Sequence, residues 1–233
     1  MALSDITSVV TATAPSVAGV HVGTSGWSYA GWKPGFYPPD ARSEDFLRHY
    51  SERFDTVELN TTGYRLPAEE QFDRWAAQTP TGFEFAVKMP PRGLRDLGTF
   101  EERVRRLGDR LGPVRAVLSA PRDDGLLTYL LGSADSAVRY AFDFRHETWG
   151  DPAVDERLGE AGAVRVNAYD GAAPFRYLRF RDPPYSDDDL QQAADRITAL
   201  RAGTEVYAYF RHEDEPTAPA YAARLLELLS SRV

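Results

Sequence analysis

The sequence predicts an α/β fold, a single TIM-type (β/α) barrel of about eight parallel strands. Short apolar runs alternate along the chain with segments of helical periodicity, which is the pattern of a parallel sheet covered by helices. The length of 233 residues suits one such barrel. No glycine-rich dinucleotide-binding loop and no phosphate-binding Gly-Lys-Ser/Thr loop follows any of these runs, which disfavours an open nucleotide-binding sheet.

The predicted strands are short runs rich in β-branched and aromatic residues. In chain order they cover 20–23, 56–60, 83–88, 116–119, 140–145, 164–168, 177–180 and 205–210. The predicted helices carry apolar residues three and four positions apart and cover 43–54, 71–78, 100–111, 125–131, 152–161, 186–202 and 219–229. A helix separates each pair of successive strands except the sixth and seventh, whose connection at 169–176 is too short for one.

Residues 1–18 are rich in Ala, Thr, Ser and Val and show neither a helical nor a strand period. We therefore expect a flexible N-terminal leader at 1–18, followed by a single TIM-type barrel domain at 19–233. The chain contains no cysteine, which excludes disulfides and permits a reducing compartment. It has no apolar run long enough to span a bilayer and no basic N-terminal segment, so we expect a cytoplasmic protein without membrane contact.

Ionisable residues occupy alternate positions near the C-terminal ends of several predicted strands. In 140–145, Asp143 and Arg145 alternate with two phenylalanines, so the charged pair shares one face. The same alternation occurs on other strands at Glu58, Asn60, Lys88 and Arg179. Because the active sites of TIM-type barrels lie at the C-terminal strand ends, we predict a site there. A network of buried ion pairs without chemistry would give the same pattern and is the alternative.

The candidate catalytic residues are those that can transfer a proton or carry charge at these strand ends: Glu58, Asp143, His146 and Lys88. The candidate ligand-binding residues are polar or aromatic: Thr24, Ser25, Trp27, Tyr29, Asn60, Arg145 and Arg179. The first four follow the first strand, where small residues let a ligand approach the backbone and aromatic rings offer stacking surfaces. A packed loop that covers the end of the barrel is the alternative there.

Histidine and metal chemistry is weakly indicated. His146 could transfer a proton or bind a metal, although a lone histidine at a strand end is more often structural. With four histidines and no cysteine, the chain is a poor candidate for a multinuclear metal centre. We assign no metal-binding residues, and the cofactor is unknown; a single divalent metal ion held by carboxylates is compatible with the sequence.

Several motifs occur together in one order: GTSGWSY at 23–29, FDTVELN at 54–60 with YR at 64–65, FAVK at 85–88, and FRH at 144–146 with Trp149. These motifs strongly resemble the YecE-like family, domain of unknown function number seventy-two, from about residue 20 to the C-terminus. The resemblance implies a single TIM-type barrel, similar to that of the metal-dependent apurinic endonuclease and sugar isomerase group. It implies no established reaction.

The chain departs from the pattern of that family at several positions near the strand ends. Asp143 stands where the family usually has Glu, Gly63 where it has an aromatic residue, and 211–212 (Arg-His) where it has an Asn pair. The sequence LSAP at 118–121 replaces QLPP, and RFRD at 179–182 replaces RLHG. These changes indicate a divergent family member, with a changed ligand or without catalysis.

Three hypotheses about function follow. The first is a protein that binds a small anionic or polyhydroxylated ligand at the C-terminal mouth of the barrel, with acid/base hydrolase or isomerase chemistry. The second is nucleic-acid binding or processing, suggested by fold analogy and disfavoured by the net charge of −8. The third is a catalytically degenerate barrel that acts through protein partners, whose identity is unknown. The sequence does not decide whether the protein is an enzyme.

Overall fold

The fold alternates strands and helices along the chain, as the sequence predicts. The structure is a computed structural model that describes residues 16–201 and 203–232. The described strands are Val20–Thr24 (β1), Thr56–Leu59 (β2), Glu84–Lys88 (β3), Leu111–Leu118 (β4), Tyr140–Phe144 (β5), Val164–Arg165 (β6), Phe175–Phe180 (β7) and Glu205–Phe210 (β8). The α-helices are Phe46–Ser51 (α1), Glu69–Gln78 (α2), Leu97–Val104 (α3), Asp124–Ser133 (α4), Pro152–Glu160 (α5), Asp187–Leu200 (α6) and Thr217–Ser230 (α7).

The N-terminal segment is described only in part, because residues 1–15 of the expected leader lie outside the described residues. Val17, which falls within the predicted leader, is 4% exposed and belongs to the hydrophobic core. It forms an antiparallel bridge with Val20 at the start of β1. Across the described part of the chain, no helix is long and apolar enough to cross a bilayer.

The strands form two parallel sheets rather than one continuous ladder. One sheet has the order β1-β8-β7 and the other has the order β2-β3-β4-β5-β6. The expectation of an α/β fold with parallel strands is confirmed. The strand pairing does not form a single closed ladder of eight strands among the described residues. Between the sheets, Ser25 and Glu58 form an isolated parallel bridge. At the other boundary, the Asn167 amide donates to the Tyr177 carbonyl at 2.9 Å.

Side chains on the strands alternate between two environments. On β8, Val206 and Phe210 belong to the main core, and the Phe210 ring packs 5.8 Å from that of Tyr221 on α7. Tyr207 and Tyr209 point the other way, and the Tyr209 hydroxyl lies 2.7 Å from Thr56 Oγ1 on the other sheet. One face of each sheet is therefore covered by helices, while the opposite faces of the two sheets contact each other.

One helix and the strand after it differ from the prediction, as does the sixth strand, which is expected at 164–168 and ends at Arg165. A helix was expected at 100–111 and a strand at 116–119, but α3 ends at Val104, a 3-10 segment follows, and β4 begins at Leu111. Gly108, with φ 57° and ψ −133°, breaks the helical backbone. Between Phe85 and Val87 of β3, the register of β4 shifts by an extra residue next to Pro113, which has no N–H to donate. The true strand is therefore longer and includes Arg115.

Asn167 continues the contact between β6 and β7 where the backbone pairing is short. Its φ of 61° is in the left-handed region, which asparagine tolerates better than most residues. Its side-chain Oδ1 accepts from the Arg179 amide at 2.6 Å, and its Nδ2 donates to the Arg179 carbonyl at 3.2 Å. A side chain thus takes the place of a strand neighbour and fixes the backbone at Arg179.

We predict that Asn167→Gly lowers the free energy of unfolding by about 1–3 kcal/mol. Glycine accepts the left-handed backbone but cannot bond to Arg179, so the loss reports the two hydrogen bonds. Urea denaturation provides the measurement. Asn60→Ala is the matched control, because within the described residues the Asn60 side chain makes no hydrogen bond. Equal stability of Asn167→Gly and the wild-type protein would contradict this role.

Candidate functional site

An arginine on β4 connects two buried carboxylates, one on the adjacent strand β5 and one on β2, which lies two strands away in the same sheet. Arg115 is 3% exposed, Glu58 on β2 is 0% exposed and Asp143 on β5 is 2% exposed. Arg115 Nη1 donates to Glu58 Oε1 at 3.1 Å, while its Nε and Nη2 lie 2.8 and 2.7 Å from Asp143 Oδ2. The planar guanidinium thus contacts both carboxylates at once, which fixes their separation.

Glu58 is held as a carboxylate by its neighbours. In addition to Arg115, it accepts hydrogen bonds from the Tyr177 hydroxyl at 2.6 Å and from Arg179 Nη1. Burial by itself would raise the pKa of Glu58, but the charges of Arg179 and Arg115 and the bond from Tyr177 outweigh it and lower the pKa to about 2. Glu58 is therefore fully ionised at neutral pH.

Asp143 contacts three arginines. Besides Arg115, Arg145 places its Nε 3.0 Å from Asp143 Oδ1. Arg181, which directly follows β7, donates from Nη2 to Asp143 Oδ2 at 2.8 Å. The Asp143 side chain is 3% exposed, whereas that of Arg145 is 39% exposed, so the contacts run from the interior to the surface.

These groups form what we call the arginine cluster, which consists of five cations and two carboxylates: Lys88, Arg115, Arg145, Arg179 and Arg181 with Glu58 and Asp143. Five positive against two negative charges leave an excess of three, in a chain whose net charge is −8. Within the described part of the chain, no carboxylate lies in ion-pair distance of Lys88. The excess charge is concentrated at the C-terminal ends of β3, β5 and β7.

Two arginines of the cluster keep unused donors. The Nε atoms of Arg179 and Arg181 are buried and have no hydrogen-bond partner among the described residues. Burial lowers the pKa of Arg181, although Asp143 raises it. Burial, followed by the charge of Arg115, also lowers the pKa of Lys88. Burial is the first cause of both lowered pKa values, and nearby positive charge adds to it. A bound anion would offset that positive charge and could accept hydrogen bonds from the unused donors.

The last residue of β1 and the residues after it form a hydrogen-bonded corner beside the cluster. Thr24 is buried, and its Oγ1 donates to the Gly26 carbonyl at 2.7 Å. Ser25 Oγ lies 3.3 Å from His212 Nδ1, and the His212 ring stacks on Tyr29 with centroids 4.6 Å apart. The Tyr29 hydroxyl donates to the Ser25 carbonyl at 2.9 Å. Thr24 thus bonds within the backbone of this corner, while Ser25, Tyr29 and His212 form one contact group.

Three further predicted residues lie outside these contacts. Trp27 packs edge-on against Trp75, with ring centroids 5.6 Å apart. Asn60 precedes a 3-10 turn, and its side chain does not cap that turn. His146 begins the turn at Glu147–Trp149, where its Nδ1 accepts from the Thr148 amide at 3.3 Å. The structure gives His146 a contact that orders a turn.

Four contributors to the site were absent from the candidates named from the sequence: Arg115, Tyr177, Arg181 and His212. Arg115 lies one residue before the predicted strand at 116–119, so the predicted strand limit excluded it. Tyr177 is the first residue of the predicted strand at 177–180. Arg181 alternates with Arg179 on the polar face and could have been included on that signal. His212 carried only one signal, its departure from the family pattern.

Metal binding finds no support in the arrangement of the described side chains. Among residues 16–201 and 203–232, no three histidine, aspartate or glutamate side chains are grouped as metal ligands. Glu58 and Asp143 already accept bonds from arginines.

Known proteins resemble the chain over most of its length. The sequence profile of the family described as "Protein of unknown function DUF72" matches residues 21–233. YecE of Escherichia coli K12 is 31% identical over 164 residues, which are 63% of this chain and 58% of YecE. YunF of Bacillus subtilis is 33% identical over 69 residues, 30% of this chain and 23% of YunF. The matched segments thus span little more than half of YecE and less of YunF.

Two solved structures share the fold. A DUF72 family protein from Thermotoga maritima has a TM-score of 0.73 and 23% identity, with 91% of this chain and 98% of that chain covered. A DUF72 family protein from Enterococcus faecalis has a TM-score of 0.69 and 12% identity, with 91% and 97% covered. At these identities the likeness concerns the fold alone.

We predict that Glu58→Gln destabilises the protein by about 3–5 kcal/mol, because it leaves Arg115 and Arg179 buried without their shared counter-charge. Chemical denaturation of the purified variant measures the loss. Asp73→Asn is the control, since Asp73 pairs with Arg106 at the surface and is expected to change the midpoint little. A Glu58→Gln protein as stable as Asp73→Asn would contradict the assigned contact.

The low pKa of Glu58 predicts a pH dependence with a defined sign. A carboxylate whose pKa falls from 4.5 to about 2 on folding adds stability above pH 4.5, and this stability is lost as the pH falls from 4.5 towards 2. The difference in unfolding free energy between the wild-type protein and Glu58→Gln should therefore shrink across this window. Urea titrations at several pH values measure it. A difference that stays constant down to pH 2 would contradict the ionised, arginine-bound state.

Proposed function

The chain belongs to the DUF72 family, and from that premise we propose that it binds a small anionic ligand at the arginine cluster. The observation that carries the proposal is the excess of positive charge at the C-terminal strand ends. Arg179 and Arg181 hold unused buried donors, and Lys88 has no ion-pair partner among the described residues. A phosphate or carboxylate group would accept hydrogen bonds from these donors and offset the excess positive charge.

We also propose that the two sheets complete one TIM-type barrel domain at 19–233. Support comes from the hydrogen bonds at the two sheet boundaries. The Gly26 amide donates to the Glu58 carbonyl at 2.8 Å, and the Asn167 amide donates to the Tyr177 carbonyl at 2.9 Å. Glu58 also bonds across the interior to Tyr177 and Arg179 on the opposite sheet. In this arrangement the arginine cluster occupies the C-terminal mouth, where such barrels bind ligands.

In the proposed site, the carboxylates of the cluster hold the arginines in position. A glutamate with a pKa of about 2 is a weak proton acceptor at neutral pH. Glu58 and Asp143 would orient the guanidinium groups of Arg115, Arg145 and Arg179. The Lys88 amine would contact the ligand directly. The same site could bind a polyhydroxylated ligand that carries an acidic group.

A second candidate function, acid/base hydrolysis or isomerisation of the bound anion, is favoured by the contact between Ser25 and His212. Burial and the charges of Arg211 and Arg179 lower the pKa of His212. A neutral imidazole that contacts a serine hydroxyl can accept a proton, which Glu58 cannot readily do at neutral pH. His212 would take the proton-transfer role for which the sequence indicated Glu58, Asp143, His146 or Lys88.

We also propose a cytoplasmic location, which a chain without cysteine suits.

The proposed function predicts that the protein binds inorganic phosphate and that Arg181→Gln weakens binding about tenfold or more, because a charge-assisted hydrogen bond contributes about 1.5–3 kcal/mol. Isothermal titration calorimetry at fixed ionic strength measures both affinities. Arg122→Gln is the matched control, since Arg122 pairs with Asp124 and Asp151 at the surface. The proposal fails when wild-type protein binds no phosphate, or when Arg122→Gln weakens binding as much as Arg181→Gln.

A further inference from the structure

A cavity lies beside Lys88 of the arginine cluster. It has a volume of about 750 Å³ and lies between the segments that follow β2 and β3. Its walls include Tyr64, Arg65, Pro90, Pro91 and Arg92. A cavity of this volume is large enough for a small organic molecule, since ligand pockets are typically about 300–1,000 Å³.

Lys88 links this cavity to the arginine cluster. Its Nζ lies 5.1 Å from the centroid of the Tyr64 ring, which lines the cavity. The charges of Arg115, Glu58 and Arg179 all act on Lys88, so its amine also belongs to the cluster. The stem of Lys88 packs over Gly63, where an added Cβ would lie 2.4 Å from Lys88 Cδ. The absence of a side chain at Gly63 therefore leaves the space that Lys88 occupies between the two sites.

Tyr64 presents an aromatic ring to solvent at the edge of this cavity. It is 80% exposed and, within the described part of the chain, is one of two large hydrophobic side chains that are exposed, the other being Tyr129. A tyrosine ring is rigid and planar, and a ring of a ligand can stack on it at a small cost in conformational entropy. The exposed part of Tyr64 is thus a surface for a ring, directly beside the Lys88 amine.

The walls of the cavity carry positive charge. Among the described residues, Arg65 and Arg92 have no carboxylate within ion-pair distance, while Arg103 lies 3.6 Å from Glu69. The one acidic residue of the lining, Asp96, accepts a hydrogen bond from the Thr99 amide and caps α3. The cavity walls therefore carry an excess of positive charge, as the arginine cluster does.

We propose that the ligand is a ring-bearing phosphate ester, whose phosphate contacts Lys88 and the arginine cluster and whose ring packs against Tyr64 in the adjacent cavity. This inference rests on the proposed function and adds the chemical class of the ligand. The two halves of the ligand are neighbours because Lys88 pairs in register with Arg115 of the cluster while its Nζ lies over the Tyr64 ring. Arg65 and Arg92 would donate hydrogen bonds to further anionic or hydroxyl oxygens of the ester.

The experiment compares the affinities of inorganic phosphate, ribose 5-phosphate and adenosine monophosphate by isothermal titration calorimetry. We expect a ring-bearing ester to bind about tenfold more tightly than inorganic phosphate, as expected for one stacked ring. Tyr64→Ala should remove this gain and leave the affinity for inorganic phosphate within about twofold. Tyr64→Phe should retain the gain, and Tyr129→Ala, the other exposed tyrosine, should change nothing. A gain already complete with ribose 5-phosphate would identify the sugar as the stacked ring.

The outcomes separate this inference from the function on which it rests. Equal affinities for phosphate and both esters, or a gain that survives Tyr64→Ala, would overturn the ring subsite and leave anion binding intact. An absence of binding for all three probes would overturn both. Circular dichroism of each variant checks that the fold is retained, and a misfolded Tyr64→Ala protein is replaced in the test by Tyr64→Ser.

Discussion

The rest of the site depends on one buried guanidinium. Arg115 lies between Glu58 and Asp143 and bonds to both, at an exposure of 3%. Burying an arginine is costly unless its donors and charge are satisfied, and so the two carboxylates must take fixed positions. Each carboxylate then holds further arginines, Arg179 at Glu58 and Arg181 at Asp143. A single interior group thus aligns side chains from β2, β4, β5 and β7.

This arrangement leaves more positive charge than the carboxylates can balance. The buried members of the cluster balance in charge, Arg115 and Arg179 against Glu58 and Asp143, so the excess of three is carried by Lys88, Arg145 and Arg181, which are partly exposed. This excess lies at the C-terminal strand ends, where Lys88 has no carboxylate in ion-pair distance among the described residues and its amine lies over the exposed Tyr64 ring. Charge for an anion and a planar surface for a ring therefore lie side by side. The acid/base candidate, His212 with Ser25, lies next to them, just after the C-terminal ends of β8 and β1.

Sequence patterns predicted the alternation of strands and helices and the polar face of the strands, because side-chain periodicity is a local property. Asp143 and Arg145 were identified in this way, as were Glu58 and Arg179. Arg115 was missed because Pro113 and the register shift interrupt the apolar run that marks β4. The contact of Tyr177 with Glu58 joins residues 119 positions apart, and no local pattern encodes such a pair. The side-chain pairing of Asn167 with Arg179 depends likewise on how β6 and β7 meet.

The most direct test of this account is a crystal structure of the protein grown or soaked with inorganic phosphate. We predict one phosphate in contact with Lys88 and with Arg181, whose Nε has no partner among the described residues, while Arg115 keeps its bonds to Glu58 and Asp143. An arginine cluster that stays empty at a phosphate concentration that fills other surface sites would contradict it. Loss of the Arg115 bridge when phosphate binds would contradict the role assigned to the carboxylates.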